Sequence, residues 1–512
     1  MHKTKTILGV GLPLRGWLWL GSIALILFPV CLYWNTTWAE FGLRDDYGVL
    51  REAQQEPRMI EQFCGSHARP IFGWLQQATF MPLRTISDLA WPRLLGSFFT
   101  GVLGACVFQV LVRLHRWSLL TAACVGAILT VLPSVQVVAG WAIVWPYLIS
   151  ALLSLTAFVV AENGFRASEG LSWKQFWLCL LAGLLVIASA WVYQPNGLFY
   201  LVFVAVKVVR RGEVLQPAPR YRLIQHLFLL GAGMLTAYAL IRGAFALEWL
   251  PMSKRVAFEH DPLGKLLWFA KNSLPNGLAL LVLNDFQGRT QPWYGLAVTA
   301  TSVLIGIGGL LVFRRRGWRE GLVWFVGLVF LLIGSHGINL MVSERWASYR
   351  TIYPLAGVIL VYVAASMGMV AENFPIVKRA RGMLSVIVVV LAALLARRQA
   401  YELIAVPQHE ELEMIRSEMK KLDVTRDQKV YVITPTPEIA PAHLLYSDEF
   451  GSLSTDSDWV PKEMMKLLFM EARPGTPTVK SLDHMVSGEK PPPPGIYDVV
   501  LDLRAVGSRK AF

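Results

Sequence analysis

Leu43-Arg44-Asp45-Asp46-Tyr47 begins nine residues beyond the end of the first apolar run and carries two adjacent carboxylates. That run, Gly16 to Trp34, is nineteen residues without a charge. At about 1.5 Å per residue it is long enough to cross a hydrocarbon core of about 30 Å. The acids are therefore expected just outside a membrane. The run exceeds the apolar core of a secretory signal, and Asn35-Thr36-Thr37-Trp38-Ala39-Glu40 makes a poor cleavage site, so it is expected to stay as a transmembrane helix.

Composition supports this. A chain of 512 residues that is 54% hydrophobic and only 16% charged departs from the roughly 25% charge of soluble domains. The expected class is an α-helical polytopic membrane protein. A net charge of +13 could point to nucleic acid, but the basic residues fall in short loops between apolar runs, where they set topology, so no nucleic-acid partner is expected. Of the five cysteines, Cys31, Cys106, Cys124 and Cys179 lie inside apolar runs and only Cys64 in a polar segment. That distribution offers neither a disulfide framework nor a Cys-rich metal site.

Charge-free runs give about eleven transmembrane helices. After the first, Leu94 to Val112 is the second, and Trp117 to Ala161, forty-five residues without Asp, Glu, Lys, Arg or His, is a hairpin broken near Pro133 and Gly140. Gln175 to Val206 makes two shorter spans broken at Tyr193-Gln194-Pro195-Asn196-Gly197, with Lys174 and Lys207 snorkelling. Leu223 to Ile241, Gln291 to Phe313, Gly321 to Val342, Thr351 to Ala371 and Gly382 to Ala396 complete the set. Two long polar segments, 35–93 and 242–290, lie between spans, and within the first Pro70 to Leu83 is apolar but too short to cross, so it is expected along the interface. Alternate loops carry Arg113 and Arg116, Arg166 and Lys174, Arg210 and Arg211, Arg314 to Arg316, and Lys378 to Arg381. By the positive-inside rule these are cytoplasmic, as is the N-terminus, and Asp45 and Asp46 face the outer compartment. Residues 1–396 thus form the membrane domain. From Arg397 the composition becomes that of a soluble unit, 397–512, with helices near Leu412 to Leu422 and Pro461 to Ala472 and strands at Lys429 to Ile433 and Tyr497 to Leu501, a small α/β domain on the outer side. It shows no phosphate loop or nucleophile triad, which favours a structural or acceptor-docking role.

The plain reading of the acids is that Asp46 caps a helix from Tyr47 to about Phe63 while Asp45 is solvated. Other polar and aromatic groups nevertheless gather on the same face: His67 and Arg69, Trp141 and Trp145, Gln194 and Asn196, Asn284 and Asp285, and the cluster Glu344, Arg345, Tyr349 and Arg350. Transfer of a sugar from a polyprenyl phosphate needs such a face. Arg350 or Arg345, with Tyr349 beside them, would receive the leaving phosphate, since guanidinium pairs phosphate in two-pronged fashion. The acceptor hydroxyl needs a base, and Asp45 is placed to take its proton.

These features resemble the GT-C class of integral-membrane glycosyltransferases. Within it, Asp45-Asp46-Tyr47 followed by Ala68-Arg69-Pro70-Ile71 is similar to the Asp-Asp and Gly-Arg-Pro elements of the serotype-converting O-antigen glucosyltransferases of bacteria and their phages, with Ala68 standing in place of Gly. The resemblance covers the first seven or so spans and hardly reaches the C-terminal domain. It implies an inverting transfer of a hexose such as glucose from undecaprenyl-phosphate-sugar to O-antigen lipopolysaccharide, or another surface glycan, at the periplasmic face of the inner membrane. Some relatives use a divalent cation, Mg or Mn; two neighbouring Asp and one His are too few ligands for a dedicated cage. A transporter or flippase of lipid-linked glycans, a transferase acting on a pilin-like protein, and a non-enzymatic scaffold are the competing readings; the first would place ionisable residues at mid-membrane and show similar halves.

Overall fold

A backbone in lipid must satisfy its own hydrogen bonds, so each charge-free run becomes a helix. The computed structural model describes residues 14–166, 173–210, 217–253, 257–284, 291–422, 428–434, 449–472 and 485–504. In chain order the helices are α1 Leu14–Leu32, α2 Trp34–Trp38, α3 Asp45–Gln55, α4 Pro57–Ser66, α5 Pro70–Phe80, α6 Ala90–Arg113, α7 Leu119–Leu129, α8 Pro133–Gly140, α9 Tyr147–Arg166, α10 Trp173–Gly197 and α11 Tyr200–Val209. There follow α12 Pro217–Ala246, α13 Pro262–Trp268, α14 Leu274–Leu278, α15 Gln291–Arg316, α16 Trp318–Ser335, α17 Gly337–Met341, α18 Tyr353–Asn373, α19 Pro375–Ala400, α20 Val406–Met419 and α21 Val460–Ala472.

The protein is an α-helical polytopic membrane protein. Among the described residues nine helices are long and apolar enough to cross a bilayer, and ten if α7 and α8, bent by 53° at Pro133, count as one broken span. The second of the two spans expected in Gln175 to Val206 differs. α11 has ten residues, about 15 Å of helix, and every one of them is buried. Lys207 does not snorkel from it: its Nζ lies 2.7 Å from Glu162 and the residue is 2% exposed, because α9 offers a carboxylate within reach. The single helix expected from Tyr47 to Phe63 is two, α3 and α4. The break is at Glu56 (φ −136°, ψ 64°), since Pro57 disfavours the helical conformation of the residue before it.

Small residues let the spans approach closely, as packing in lipid requires. A side chain at Gly101 of α6 would collide with the Ile26 backbone in α1, and Gly104 and Gly126 bring α6 and α7 together backbone to backbone. The two ends of the bundle differ in chemistry. At one, Glu162 is enclosed by Lys207, by Arg166 at 2.6 Å and by His226 at 2.8 Å, with Tyr200 hydrogen-bonded to His226 at 2.7 Å. The loop cations Arg113, Arg316 and Arg381 lie at the helix ends on this side. At the other end sit α3, α4, α5 and the 336–352 loop.

Among its described residues the C-terminal unit holds a three-stranded parallel sheet, β1 Val430–Ile433, β2 Val486–Gly488 and β3 Val499–Asp502, in the order β2-β1-β3, and α21, which packs against α3 and α20. Two strands and both helices fall where the sequence places them; β2, three residues long, does not announce itself. No linker separates this unit from the bundle: the helix runs on from Pro375 to Met419 through a π-turn at Tyr401–Ala405. The unit also grips the first polar segment. Arg51 of α3 pairs with Glu463 at 2.6 Å, Glu40 with Arg416 at 2.5 Å, and Ile86 N–H donates to Glu471 at 2.5 Å.

Candidate functional site

Asp45 and Asp46 both lie in the first turn of α3, after Arg44, so neither is the cap residue itself. Adjacent helical residues point about 100° apart, and here the two acids part company. Asp45 is exposed. Asp46 is fully buried, and its carboxylate accepts hydrogen bonds from Leu43 N–H and Ile143 N–H, each at 2.9 Å, and from Ala142 N–H at 3.3 Å. Burial pushes its carboxyl up to about 7, against those three donors and the nearby Arg93 guanidinium. Asp46 therefore ties the first polar segment to the break between α8 and α9, a structural duty that leaves no open oxygen for a substrate proton.

Arg44, directly before Asp45, has φ 45° and ψ −104°, a conformation that side chains disfavour. The C-terminal unit holds it there: its N–H donates to Ser454 Oγ at 2.8 Å and its guanidinium pairs with Asp456 at 2.9 Å. The same device recurs at Ala68, directly before Arg69, whose φ of 61° is the left-handed conformation that glycine adopts without cost. Both candidate chemical residues are thus aimed by a strained neighbour.

Arg69 Nε donates to Gln194 at 3.1 Å, and Gln194 in turn donates to the Ala68 carbonyl at 2.7 Å. The break in α10 lies here, at Tyr193 with φ −158° and ψ 105°. Arg69 stands over the Tyr193 ring at 4.8 Å, Tyr193 stacks on Tyr147 at 3.5 Å, and Asn196 donates to the Tyr147 carbonyl at 3.0 Å. His67, on the flank, contacts Ser253 at 3.1 Å. From the far side Arg350 lies over Trp141 at 4.7 Å and Trp346 at 5.0 Å, within electrostatic reach of Tyr193. Its guanidinium is also 3.4 Å from buried Glu449 of the C-terminal unit. Cys64, whose thiol burial pushes up to about 12, lies close enough to feel both Arg69 and Asp45. Arg350 and Trp141 are in direct contact, as are Arg69 and Tyr193, while Arg350 reaches Tyr193, and Arg69 and Asp45 reach Cys64, through longer-range electrostatics.

The remaining candidates sort by position. Tyr349 is buried; its hydroxyl accepts from Asn284 N–H at 2.7 Å and its ring packs edge-on to Phe450, so it braces the site rather than facing a phosphate. Trp145 is 6% exposed and stacks on Phe99. Arg345, expected as an alternative phosphate ligand, is instead committed to Glu259 and Asp261, both at 3.3 Å, in an exposed ion-pair cluster. The reason is that residues 257–259 pair with 341–343, which brings those acids to it. The Glu344 carbonyl accepts from buried Lys265 at 2.6 Å in the same clip. Asp285 lies outside the described residues.

Sequence reasoning missed Arg93, Tyr147, Tyr193 and Glu449 as participants. Arg93 is fully buried and donates to the Thr37, Ala39 and Phe41 carbonyls at 3.2, 2.6 and 2.8 Å, with its guanidinium 4.0 Å over the Phe41 ring. A lone arginine at the mouth of a span was the available signal, since such residues seldom stay there unpaired. Among the described residues no three His, Cys, Asp or Glu side chains converge as metal ligands. Asp46 is committed to backbone N–H groups and Glu449 lies against Arg350. No protein-family model matches the chain, and no curated protein is significantly similar to it in sequence.

Proposed function

We propose that the chain is a membrane glycosyltransferase that moves a hexose from a polyprenyl-phosphate carrier to a surface glycan, working at the outer face of a bacterial inner membrane. The observation that supports it most is the set of groups described above: an exposed carboxylate, Asp45, and two guanidiniums, Arg69 and Arg350, which lie over the aromatic rings of Tyr193, Trp141 and Trp346.

In this reading the acceptor oxygen attacks the anomeric carbon from the side opposite the phosphate, and Asp45 takes the hydroxyl proton. The bond between the anomeric carbon and the phosphate oxygen breaks, and its electron pair leaves with the polyprenyl phosphate. Arg350 and Arg69 offset the charge that develops there, and the configuration inverts. The resemblance admits a divalent cation, which would supply charge to the same phosphate. The direct test is mass spectrometry of intact surface glycans from cells with and without the gene. Loss of one hexose per repeat supports the proposal; a change confined to a pilin-like protein would move the acceptor; no change in either overturns it.

Arg350 carries a separate expectation. Losing a charge-assisted contact costs about 1.5–3 kcal/mol, or roughly 10–150-fold. Arg350→Ala should lower kcat/KM for the lipid-linked donor by that factor, and Arg350→Lys by less, because lysine keeps the charge and loses the fork. Unchanged donor kinetics in both would exclude the role. The sidedness is tested by a reporter active only outside the cytoplasm, expected to be active when fused after Leu403 and silent after Arg211; the reverse would turn the face inward.

A transporter of lipid-linked glycans is the rival, and the buried Glu162–Lys207–His226 cluster, although it lies toward one end of the bundle, is what favours it. It gives Asp45 no required basicity, so the two readings part at that residue.

A further inference from the structure

A second polar and aromatic feature lies at the start of the first polar segment. Where α2 meets the π-turn at Tyr401–Ala405 and the start of α20, a cavity of about 370 Å³ is lined by Trp34, Asn35, Trp38, Glu40, Tyr401 and His409. This is at the small end of ligand-pocket sizes, roughly 300–1,000 Å³. We propose that it is a subsite for an uncharged pyranose ring of the acceptor glycan, lying some rings away from the reacting hydroxyl; its assignment to the acceptor rests on the transferase reading.

The chemistry of the lining argues for a sugar. Trp34 and Trp38 keep 53% and 41% of their surface open, with ring centroids 5.5 Å apart and planes tilted by 53°, so two aromatic faces are available to the C–H face of a ring. The opposite wall is polar and comes from the C-terminal side of the chain. His409 Nδ1 lies 2.8 Å from the Glu40 carbonyl, which can only accept, so Nδ1 carries a proton there and Nε2 is the ring nitrogen left for a hydroxyl. The exposed Asn35 amide both donates and accepts. Glu40 is held ionised by Arg416, which keeps its carboxyl below the usual carboxylate range, and the pair is neutral together. No lysine or arginine lines the cavity, so an anionic lipid headgroup meets a carboxylate and no uncompensated cation. A neutral polyhydroxylated ring meets what it needs on both faces. Interfacial tryptophans often serve only as bilayer anchors, but these two share their space with a wall of polar groups from another element.

The position suits an acceptor as well. Glu40 is five residues from Asp45, at most about 17 Å of extended chain, a distance that an oligosaccharide of a few rings covers. Arg93 fixes the Ala39 and Phe41 carbonyls on either side of Glu40, which anchors the segment that leads from the subsite to the base.

The test is saturation-transfer NMR on the full chain in nanodiscs, with maltotriose, cellotriose and mannotriose as probes. Transfer to ring C–H protons is expected from at least one probe. It should weaken up to about tenfold in Trp34→Ala, recover in Trp34→Phe, and fall in Asn35→Ala, an exposed position where folding is not at stake. Asp45→Asn should leave it unchanged. Absence of transfer for all three probes, or transfer indifferent to all of these variants, overturns the subsite. Loss of transfer on adding phosphatidylglycerol to the nanodisc overturns it in favour of a lipid. Binding that passes while surface glycans are unaltered by loss of the gene keeps the sugar site and removes its assignment to a transferase acceptor.

Discussion

Asp45→Asn is expected to lower sugar transfer at least about a hundredfold, the low end of what a general base contributes, with protein at its normal level in the membrane. The substitution keeps size and removes proton affinity, since an amide oxygen is not basic at neutral pH. Asp45 is exposed, so the substitution buries no polar group. Asp46→Asn should fail differently. An amide there must turn its NH₂ toward a backbone N–H of Leu43, Ala142 or Ile143, leaving buried donors without acceptors at about 1–3 kcal/mol each. Its signature is reduced protein level and melting temperature. Measuring transfer per molecule of folded protein separates the two. Transfer by Asp45→Asn close to that of the unaltered protein would sink the mechanism and promote the transporter.

Arg93→Met is expected to be the most damaging substitution in stability. Methionine fills much of the same volume but leaves the Thr37, Ala39 and Phe41 carbonyls unpaired and Asp46 without its nearby cation. Removing one partner of a buried charge pair costs about 3–5 kcal/mol, much of a typical stability of about 5–15 kcal/mol. Thermal melting in nanodiscs should fall, and limited proteolysis should open the chain between residues 35 and 46. Arg93→Lys, which keeps the charge but reaches fewer carbonyls, should fall in between. A melting curve and cleavage pattern unchanged in Arg93→Met would show that the segment is held by other contacts.

The spans were legible because length without charge is a local property: α6, α15 and α18 follow from their own residues. The C-terminal strands β1 and β3 were legible for the same reason, as short β-branched runs. The roles of the two acids were not, because the donors that occupy Asp46 sit on Ala142 and Ile143, nearly a hundred residues downstream. Arg345 and Arg350 look alike in sequence, and the structure parts them through acids brought from elsewhere, Glu259 and Asp261 to the first and Glu449 to the second. The break between α3 and α4 was visible in Glu56-Pro57, yet the amphipathic pattern on either side reads through it. Ala68 could be picked out only against a family motif; its left-handed backbone supplies the physical reason for glycine at that point.

The unbroken helix from Pro375 to Met419 is forty-five residues, about 67 Å from end to end. About two thirds of that fits within a bilayer about 40–45 Å thick including its headgroups. The remainder is a mast of fixed height, and Arg416 near its tip is fastened to Glu40 at the foot of the first polar segment. A lipid-linked sugar finds its level from the bilayer, whereas a polymer arriving from the aqueous side has no such reference. Under the proposed transferase reading the mast would give it one, setting how far above the lipid a glycan is stopped.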